Sequence, residues 1–270
     1  MPFMSLYIKE LGNFNRVQLN LWSGLVFAAT FLISSWMATV WGKFADRHGR
    51  KLVLLFSSAG IGTTMAWIVT NVYKLVALRF LQGFFAGYVS NISALMASMI
   101  PKEKSGKVMS TLSTGITAGM LLGPLLGGIL ASIFGYRVSF FITGCAYAIV
   151  FLLTLFFVKE NNFIPVTKEK TLPAKQLLKQ LQYPSLIIGL FVTTLIVQAA
   201  NNSISPVISL YVQQLLHHHG NVNLMSGLVA ALPGIATLIA APRFGAWGDR
   251  IGTQKILIGG LIFATLVYIP

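Results

Sequence analysis

The sequence predicts an all-α protein built as a bundle of membrane-spanning helices, and three observations predict it. The chain of 270 residues is 55% hydrophobic and only 10% charged, with a mean hydropathy of +0.75, whereas a soluble domain carries about 25% charged residues. Its apolar residues fall into long continuous runs, and part of the chain recurs further along. These features exclude an ordinary soluble globular domain.

Seven runs are each long enough to cross a bilayer, which takes about 20 residues of helix. They lie at 22–42, 52–70, 75–100, 108–131, 138–158, 185–213 and 224–244. An eighth run begins at Ile256, and residues 1–8 resemble the end of a further span. Transmembrane barrels have alternating segments of roughly ten residues, so the continuous runs predict helices. We therefore expect seven full spans, with partial helices at both ends of the chain.

The basic residues predict the orientation of the chain, because loops rich in Lys and Arg stay in the cytoplasm. One side carries 15 of them: Lys43, Arg47, Arg50, Lys51, Lys102, Lys104, Lys107, Lys159, Lys168, Lys170, Lys175, Lys179, Arg243, Arg250 and Lys255. The opposite side carries Lys9, Arg16, Lys74 and Arg137. We expect a multi-pass protein of the bacterial cell membrane with the lipid bilayer as its partner.

The formal net charge of +14 raises the question of a nucleic-acid partner. The basic residues alternate with the spans, and they form no single patch interleaved with aromatic residues that could follow a nucleic-acid strand. We therefore expect no nucleic-acid partner.

The chain contains an internal repeat. Residues 20–26 (NLWSGLV) recur as residues 223–229 (NLMSGLV), and an earlier block, 2–11, recurs at 206–215. The loop that follows also recurs, at the same offset of 203 residues as the first block: Gly42, Asp46, Arg47 and Gly49 correspond to Gly245, Asp249, Arg250 and Gly252. Six spans separate the two loops, and an even number predicts a parallel repeat of two six-helix halves.

This repeat predicts the domain organisation. Residues 1–158 form an N-terminal helical bundle from the end of helix 1 to helix 6, residues 159–184 form a cytoplasmic linker, and residues 185–270 begin a C-terminal bundle with helices 7, 8 and part of 9. We expect the chain to be an internal fragment of a twelve-helix protein, with about 90 residues of the second half beyond Pro270. Tyr7 and Tyr211, which are equivalent in the repeat, are expected at the outer membrane interface.

Four segments resemble motifs of the major facilitator superfamily. The loop 42–51 (GKFADRHGRK) resembles its signature between helices 2 and 3, and 245–255 resembles a second, degraded copy between helices 8 and 9. Residues 78–83 (LRFLQG) resemble the helix 4 motif of proton-driven members, and 119–128 (GMLLGPLLGG) resemble the helix 5 motif of antiporters. The stretches at the start of the chain and at 234–252 are similar to drug-efflux members of this superfamily. The resemblance implies two six-helix halves and drug/proton antiport by alternating access.

The repeated loop is a candidate conformational latch. We expect Asp46 to lie near the start of the following helix, where a carboxylate is stabilised, and to pair with Arg47 or a neighbouring helix end. The alternative is a tight turn whose glycines relieve crowding and whose cations anchor the helix ends. Recurrence of the same residue types favours the latch, which comprises Gly42, Asp46, Arg47, Gly49, Arg50, Lys51, Gly245, Asp249 and Arg250.

Apart from Arg243 at the end of the run 224–244, Arg79 is the only charged residue inside a complete predicted span, and Gln82 lies one helical turn away. A long cationic side chain near a helix end can extend back to the interface. We favour instead a cation that lines the cavity and keeps a carboxylate or anionic group ionised for proton coupling. None of the six acids lies in a complete span, so we expect the proton-carrying group in the missing helices.

Glycines at 115, 119, 123 and 127 form a stripe on the run 108–131, which corresponds to helix 5. Small residues at this spacing favour close helix packing, while Pro124 removes a backbone hydrogen bond and favours a bend. The predicted hinge comprises Gly119, Gly123, Pro124, Gly127 and Gly128.

Polar residues at helical spacing are candidate substrate contacts, with hydrogen bonding between or within helices as the alternative. They are Thr114, Thr117, Gln198, Asn201, Asn202 and Ser205. We expect no metal site, because Cys145 is the only cysteine and His217, His218 and His219 are consecutive residues that cannot converge on one ion.

The sequence therefore predicts a secondary transporter that exports drugs or other small amphipathic compounds in exchange for protons. We expect a monomer without a cofactor, driven by the proton gradient. A metabolite carrier of the same fold and a non-transporting truncated product are the alternatives. An enzyme is not predicted, because the sequence shows no nucleophile with a base, no metal constellation and no phosphate-binding loop.

Overall fold

The computed structural model describes residues 3–67, 69–160, 184–204, 207–216 and 221–268. All regular secondary structure in these ranges is helical, which confirms the predicted fold class. The helices are α1 (Met4–Glu10), α2 (Arg16–His48), α3 (Arg50–Ala66), α4 (Val72–Phe85), α5 (Tyr88–Met99), α6 (Lys102–Phe157), α7 (Pro184–Ile204), α8 (Ile208–Leu215), α9 (Val222–Ile251) and α10 (Thr253–Tyr268).

The helices have membrane dimensions. Five segments of the described chain are long and apolar enough to cross a bilayer: Arg16–His48, Val72–Met99, Gly106–Phe157, Ile187–Leu215 and Val222–Ala240. The third of these contains two of the predicted runs, and α3, with 17 residues, contains most of another. Large apolar side chains are exposed along the bundle, including Trp36 at 71% and Phe157 at 78%. Such a surface fits lipid and is unlike the surface of a soluble monomer.

Local hydrogen bonds determine where two of these helices begin. The Asn15 side chain accepts a hydrogen bond from the backbone N–H of Gln18 at 2.8 Å, and the Gln18 side chain accepts one from the N–H of Asn15 at 3.1 Å. This reciprocal capping satisfies donors that have no partner within α2. Asn71 caps α4 in the same way by accepting from the N–H of Lys74 at 2.8 Å.

Three glycines with positive φ make the sharpest turns of the bundle. Gly135 (φ 76, ψ 171) interrupts α6 and divides it into a first arm, residues 102–134, and a second arm, residues 136–157. Gly49 (φ 97) joins α2 to α3, and Gly252 (φ 100) joins α9 to α10. Residues with a Cβ rarely adopt such conformations. Since Gly49 and Gly252 are equivalent in the repeat, the two halves share the same backbone turn.

These turns also distinguish the two ends of the bundle. We call the end that carries Gly49, Glu160 and Gly252 the basic end, because the lysine-rich and arginine-rich loops lie there. The opposite end carries Glu10 and Gly135 and is called the Gly135 end.

One break in the helices was not predicted. The apolar run 75–100 was expected to form a single span, but Ala86 and Gly87 separate α4 from α5 near its middle. The Trp41 indole N–H donates a hydrogen bond of 2.6 Å to the backbone carbonyl of Phe84. This contact satisfies one of the carbonyls that the end of α4 leaves without a helical partner.

The hydrophobic core lies at the Gly135 end, where α1 packs among α2, α4 and both arms of α6. Tyr7 is central to it, with 1% of its surface exposed and its ring centroid 5.2 Å from that of Phe140. The prediction that Tyr7 marks the membrane interface is therefore wrong, because aromatic packing holds its ring inside the bundle. Tyr211, its counterpart in the repeat, is 60% exposed.

Candidate functional site

The turn between α2 and α3 contains an ion pair. An Arg50 guanidinium nitrogen lies 3.2 Å from Oδ1 of Asp46, across one helical turn of sequence. We expected Asp46 to lie near the start of the following helix and to pair with Arg47 or a neighbouring helix end. Asp46 lies in the last turn of α2, and its partner Arg50 is the first residue of α3, while the Arg47 side chain is exposed. The predicted latch residues Gly42 and Lys51 lie in the same turn region, both partly buried.

A different carboxylate lies at the start of α3. Glu160 accepts hydrogen bonds from the backbone N–H of Arg50 at 3.0 Å and of Lys51 at 2.9 Å. The sequence offers little indication of this residue, because Glu160 follows Lys159 just beyond the run 138–158 and resembles an ordinary loop acid. The one feature that could have identified Glu160 is its position at the end of a span, on the same predicted side of the membrane as the signature loop.

Gly49 makes room for this carboxylate. A Cβ at position 49 would lie 2.7 Å from Oε2 of Glu160, well inside van der Waals contact. The glycine of the loop is thus required for its positive φ and also for the close approach of Glu160.

The second copy of the loop is only partly described. The backbone at 245, 249 and 250 belongs to α9, and the Arg250 side chain is exposed. The surroundings of Gly245 and the side chain of Asp249 lie outside the described part of the structure. At Gly252 a Cβ would meet no atom within 4 Å.

Arg79 and Gln82 form the polar centre of the N-terminal half. The Arg79 guanidinium donates to Oε1 of Gln82 at 2.7 Å and contacts the Met4 sulfur at 3.7 Å, and its carbon lies 5.8 Å from the centroid of the Phe140 ring. Gln82 is 7% exposed. The guanidinium therefore points toward the interior of the bundle and does not extend back to the interface.

A small cavity adjoins this pair. It has a volume of about 120 Å³, and its lining combines one cation with apolar and aromatic side chains. The lining residues are Met4, Val26, Phe27, Thr30, Phe31 and Arg79. Because Thr30 also donates a hydrogen bond of 3.3 Å to the backbone carbonyl of Arg79, α2 and α4 are joined at this cavity. A larger apolar cavity of about 490 Å³ lies between the two arms of α6.

The first arm of α6 crosses α9 closely on the Gly135 side. A Cβ at Gly128 would lie 2.7 Å from the carbonyl oxygen of Asn223, and a Cβ at Gly227 would lie 2.7 Å from the carbonyl oxygen of Pro124. The two backbones are therefore in direct contact, as in small-residue helix crossings. A Cβ at Gly127, the neighbour of Gly128, would lie 3.0 Å from the Phe3 ring.

The crossing continues to the middle of the first arm, where a Cβ at Gly234 would lie 3.1 Å from a methyl carbon of Leu121. A Cβ at Gly123, Gly119 or Gly115 would meet no atom within 4 Å. Because Gly123 lies between Leu121 and Pro124, which both contact α9, these glycines lie on a different face of α6 from the crossing. In addition, α6 keeps helical φ/ψ through Pro124, and its break is at Gly135. The structure thus shows packing at Gly127 and Gly128 and open space at Gly119 and Gly123.

A hydrogen bond joins the two halves beside this crossing. The Tyr136 hydroxyl donates to Oδ1 of Asn223 at 2.7 Å. Tyr136 is held in place by stacking on Phe3, with ring centroids 5.8 Å apart, and by contact with Tyr7 at 5.7 Å. The Gly135 end is therefore closed by both backbone packing and a side-chain bond.

Comparison with known proteins agrees with this geometry. The profile of the Major Facilitator Superfamily matches residues 1–270. The chain belongs to the major facilitator superfamily. Multidrug resistance protein MdtG from Salmonella typhi is 46% identical over 272 residues, which cover 100% of this chain and 67% of that protein. MdtG from Klebsiella pneumoniae strain 342 is also 46% identical, with 66% of its length covered.

Membership of the major facilitator superfamily makes the chain a multi-pass transmembrane transporter, so the prediction that it is not an enzyme is confirmed. The chain spans about two thirds of the length of these relatives. The predicted resemblance to drug-efflux members is confirmed at the level of sequence similarity.

The predicted substrate residues of this superfamily member are not gathered into one site. Thr114 and Thr117 each donate a hydrogen bond of 2.9 Å to a carbonyl of their own helix. Gln198, Asn201 and Asn202 are exposed on α7, and Asn202 donates to the backbone carbonyl of Gln198 at 2.9 Å. Ser205, His217, His218, His219 and most of the linker 159–184 lie outside the described residues.

Proposed function

We propose that this transporter exports drugs and other small amphipathic compounds from a bacterial cell in exchange for protons. Its relatives carry the name multidrug resistance protein, and the helix 4 and helix 5 motifs resemble those of proton-driven antiporters. The basic end faces the cytoplasm in this proposal, because basic loops are retained there. The protein works as a monomer without a cofactor, and the proton gradient drives it.

One observation carries the proposal. The contacts between the halves lie toward the Gly135 end, where α6 and α9 cross at Gly128 and Gly227, Tyr136 donates a hydrogen bond to Asn223, and Lys9 donates one to Gln213. Halves that are joined at one end can open at the other, as alternating access requires. This arrangement supports a state that receives substrate from the cytoplasm and releases it after the contact at the Gly135 end has opened.

The lining near Arg79 favours amphipathic compounds over small polar metabolites. Met4, Phe27 and Phe31 provide flexible and aromatic surfaces that accept different shapes. Arg79 and Gln82 add a compact polar group on one side. A metabolite carrier would be expected to offer more polar groups matched to a single substrate.

The basic-end turn acts as the latch in this proposal. When the halves rock, the Asp46–Arg50 ion pair keeps the ends of α2 and α3 in a fixed relation. Because the pair lies far from the substrate cavity, it controls turnover and leaves substrate affinity unchanged.

Efflux of the lipophilic dye Nile red from cells that express the gene tests the proposal. We expect dye to leave these cells faster than cells with an empty vector, and we expect a protonophore to abolish the difference. Efflux that continues after the proton gradient has collapsed would show that antiport is wrong. Efflux no faster than that of the empty-vector cells would show that drug export is wrong.

A further inference from the structure

Glu160, just beyond the end of α6, caps the start of α3, and Lys51 of α3 caps the end of α6. The Glu160 carboxylate accepts from the N–H groups of Arg50 and Lys51 at the start of α3, at 3.0 and 2.9 Å. In return, the Lys51 ammonium donates to the carbonyl of Leu155, in the last turn of α6, at 2.9 Å. The start of α3 and the end of α6 therefore satisfy each other's unpaired backbone groups.

Electrostatics favour both contacts. A helix N-terminus carries a partial positive charge and stabilises a carboxylate, and a C-terminus stabilises a cation. Hydrogen bonds to ionised groups are also shorter and stronger than neutral ones. No side chain of the preceding turn caps α3, since its N-cap residue is Gly49, so Glu160 supplies this cap from a position 110 residues away in the sequence.

The counterpart turn in the second half provides a comparison with the same backbone. Gly49 and Gly252 have nearly equal φ values of 97 and 100. A Cβ at Gly49 would meet the Glu160 carboxylate, whereas a Cβ at Gly252 would meet nothing within 4 Å among the described residues.

We propose that Glu160 and Lys51 are positioning residues that fasten the end of α6 to the α2–α3 turn. The second arm of α6 is bonded to the second half at its start, through Tyr136 and Asn223. At its other end, Glu160 and Lys51 bond it to the turn that carries the Asp46–Arg50 pair. Movement of the second half therefore reaches the start of α3 along this arm, which couples the rocking motion to the latch. The coupling to transport rests on the proposed function, whereas the attachment of Glu160 to the α2–α3 turn is independent of it.

Hydrogen exchange at the amides of Arg50 and Lys51 tests the structural part. These amides have no partner within α3, so Glu160 is what protects them. In the full 270-residue chain in lipid nanodiscs, we expect Glu160→Gln to raise their exchange rates about tenfold, while the centre of α3 exchanges as before. Unchanged exchange at both positions would overturn the inference.

Two glycine variants provide a matched comparison. Gly49→Ala and Gly252→Ala impose similar backbone strain because both positions have φ near 100, but only the methyl at position 49 displaces the carboxylate. We expect Gly49→Ala to reproduce the faster exchange of Glu160→Gln at Arg50 and Lys51, and Gly252→Ala to leave it at the wild-type rate. Equal effects of the two variants would also overturn the inference.

Nile red efflux measures the coupling. We expect Glu160→Gln to lower the maximal rate at least threefold without changing the dye concentration that gives half the maximal rate, and Lys51→Met to act in the same direction. Lys159→Gln, at an exposed neighbouring position, should transport like wild type. An altered half-saturating concentration with an unchanged maximal rate would refute the coupling role. If the wild type shows no efflux, the proposed function fails, whereas the exchange result still decides whether Glu160 fastens the turn.

Discussion

At the scale of single residues, Arg79 is the most informative side chain. Its guanidinium donates to Gln82 at 2.7 Å and borders the cavity beside Met4 and Phe31. Hydrogen bonds to charged groups contribute about 1.5–3 kcal/mol, and each 1.4 kcal/mol changes a rate about tenfold. We expect Arg79→Ala to lower the initial rate of Nile red efflux about tenfold or more.

Two further variants separate charge from geometry in this prediction. Arg79→Lys keeps the charge but loses the planar fork, so it should fall between wild type and Arg79→Ala. Lys74→Ala removes an exposed cation from the same helix and should have no effect. Full activity of Arg79→Ala, at equal amounts of protein in the membrane, would contradict the role given to Arg79.

Residue types in the motifs were predictable from sequence, but their partners were not. The spacing of Arg79 and Gln82 already placed them one turn apart, and the structure joins them. Asp46 was predicted to pair with Arg47 or a neighbouring helix end, and its partner is Arg50, the first residue of α3. Glu160, which was not predicted to take part, accepts from the backbone N–H groups at this helix start. The contact of Glu160 spans 110 residues, and local patterns carry no information at that distance. The prediction that Tyr7 lies at the membrane interface failed for a related reason, since Tyr7 is buried by contacts with Tyr136 and Phe140, which are distant in the sequence.

At the scale of helices, the crossing of α6 and α9 leads to a second prediction. A methyl at Gly128 would lie 2.7 Å from the carbonyl of Asn223, and overpacking of this kind costs about 1–3 kcal/mol. We expect Gly128→Ala to loosen the Gly135 end. In a Cys145→Ser background, a cysteine in place of Ala131, which is 3% exposed, should then react at least fivefold faster with a membrane-impermeant maleimide.

Gly115→Ala is the matched control, because a Cβ there meets nothing within 4 Å on the same helix. It should leave the reactivity of the cysteine at position 131 unchanged. If both variants accelerate labelling equally, the effect comes from the general behaviour of α6 and the close crossing does not seal this end.

The hydrophobic runs predicted where the helices lie, but they did not predict where the helices break. Each predicted run coincides with helix in the described residues, because about 20 apolar residues in a bilayer leave few alternatives to a helix. The break at Ala86 and Gly87 depends on Trp41, which supplies a hydrogen bond from another helix. Pro124 was expected to bend α6, but the helical φ/ψ continue past it. Its hinge role concerns motion and stays a prediction.

At the scale of the whole molecule, the repeat organises the fold while the contacts between the halves are unequal along their length. The equivalent glycines 49 and 252 have nearly equal φ values, yet the halves meet through Gly128, Gly227 and Tyr136 toward the Gly135 end. Sequence similarity between the halves therefore predicted the architecture, whereas the conformational state follows from where the helices touch.

Disulfide cross-linking measures this difference between the two ends. Cβ of Leu121 lies 3.2 Å from the position of a Cβ at Gly234, close to the Cβ separation of about 3.5–4.5 Å found in disulfides. In a Cys145→Ser background, we expect the pair Leu121→Cys and Gly234→Cys to cross-link readily under mild oxidation. The pair Ala118→Cys and Leu238→Cys, about one turn nearer the basic end, should remain reduced, because the Leu238 side chain is 43% exposed.

The cross-link should also stop transport. A bond between 121 and 234 holds the halves together at the contact that must open for release, so Nile red efflux should fall to the empty-vector rate and return when a reductant is added. The pair at 118 and 238 should leave efflux unaffected under the same oxidation. If that pair instead cross-links as fast as the first, the helices are equally close along their whole length, and the basic end is not open.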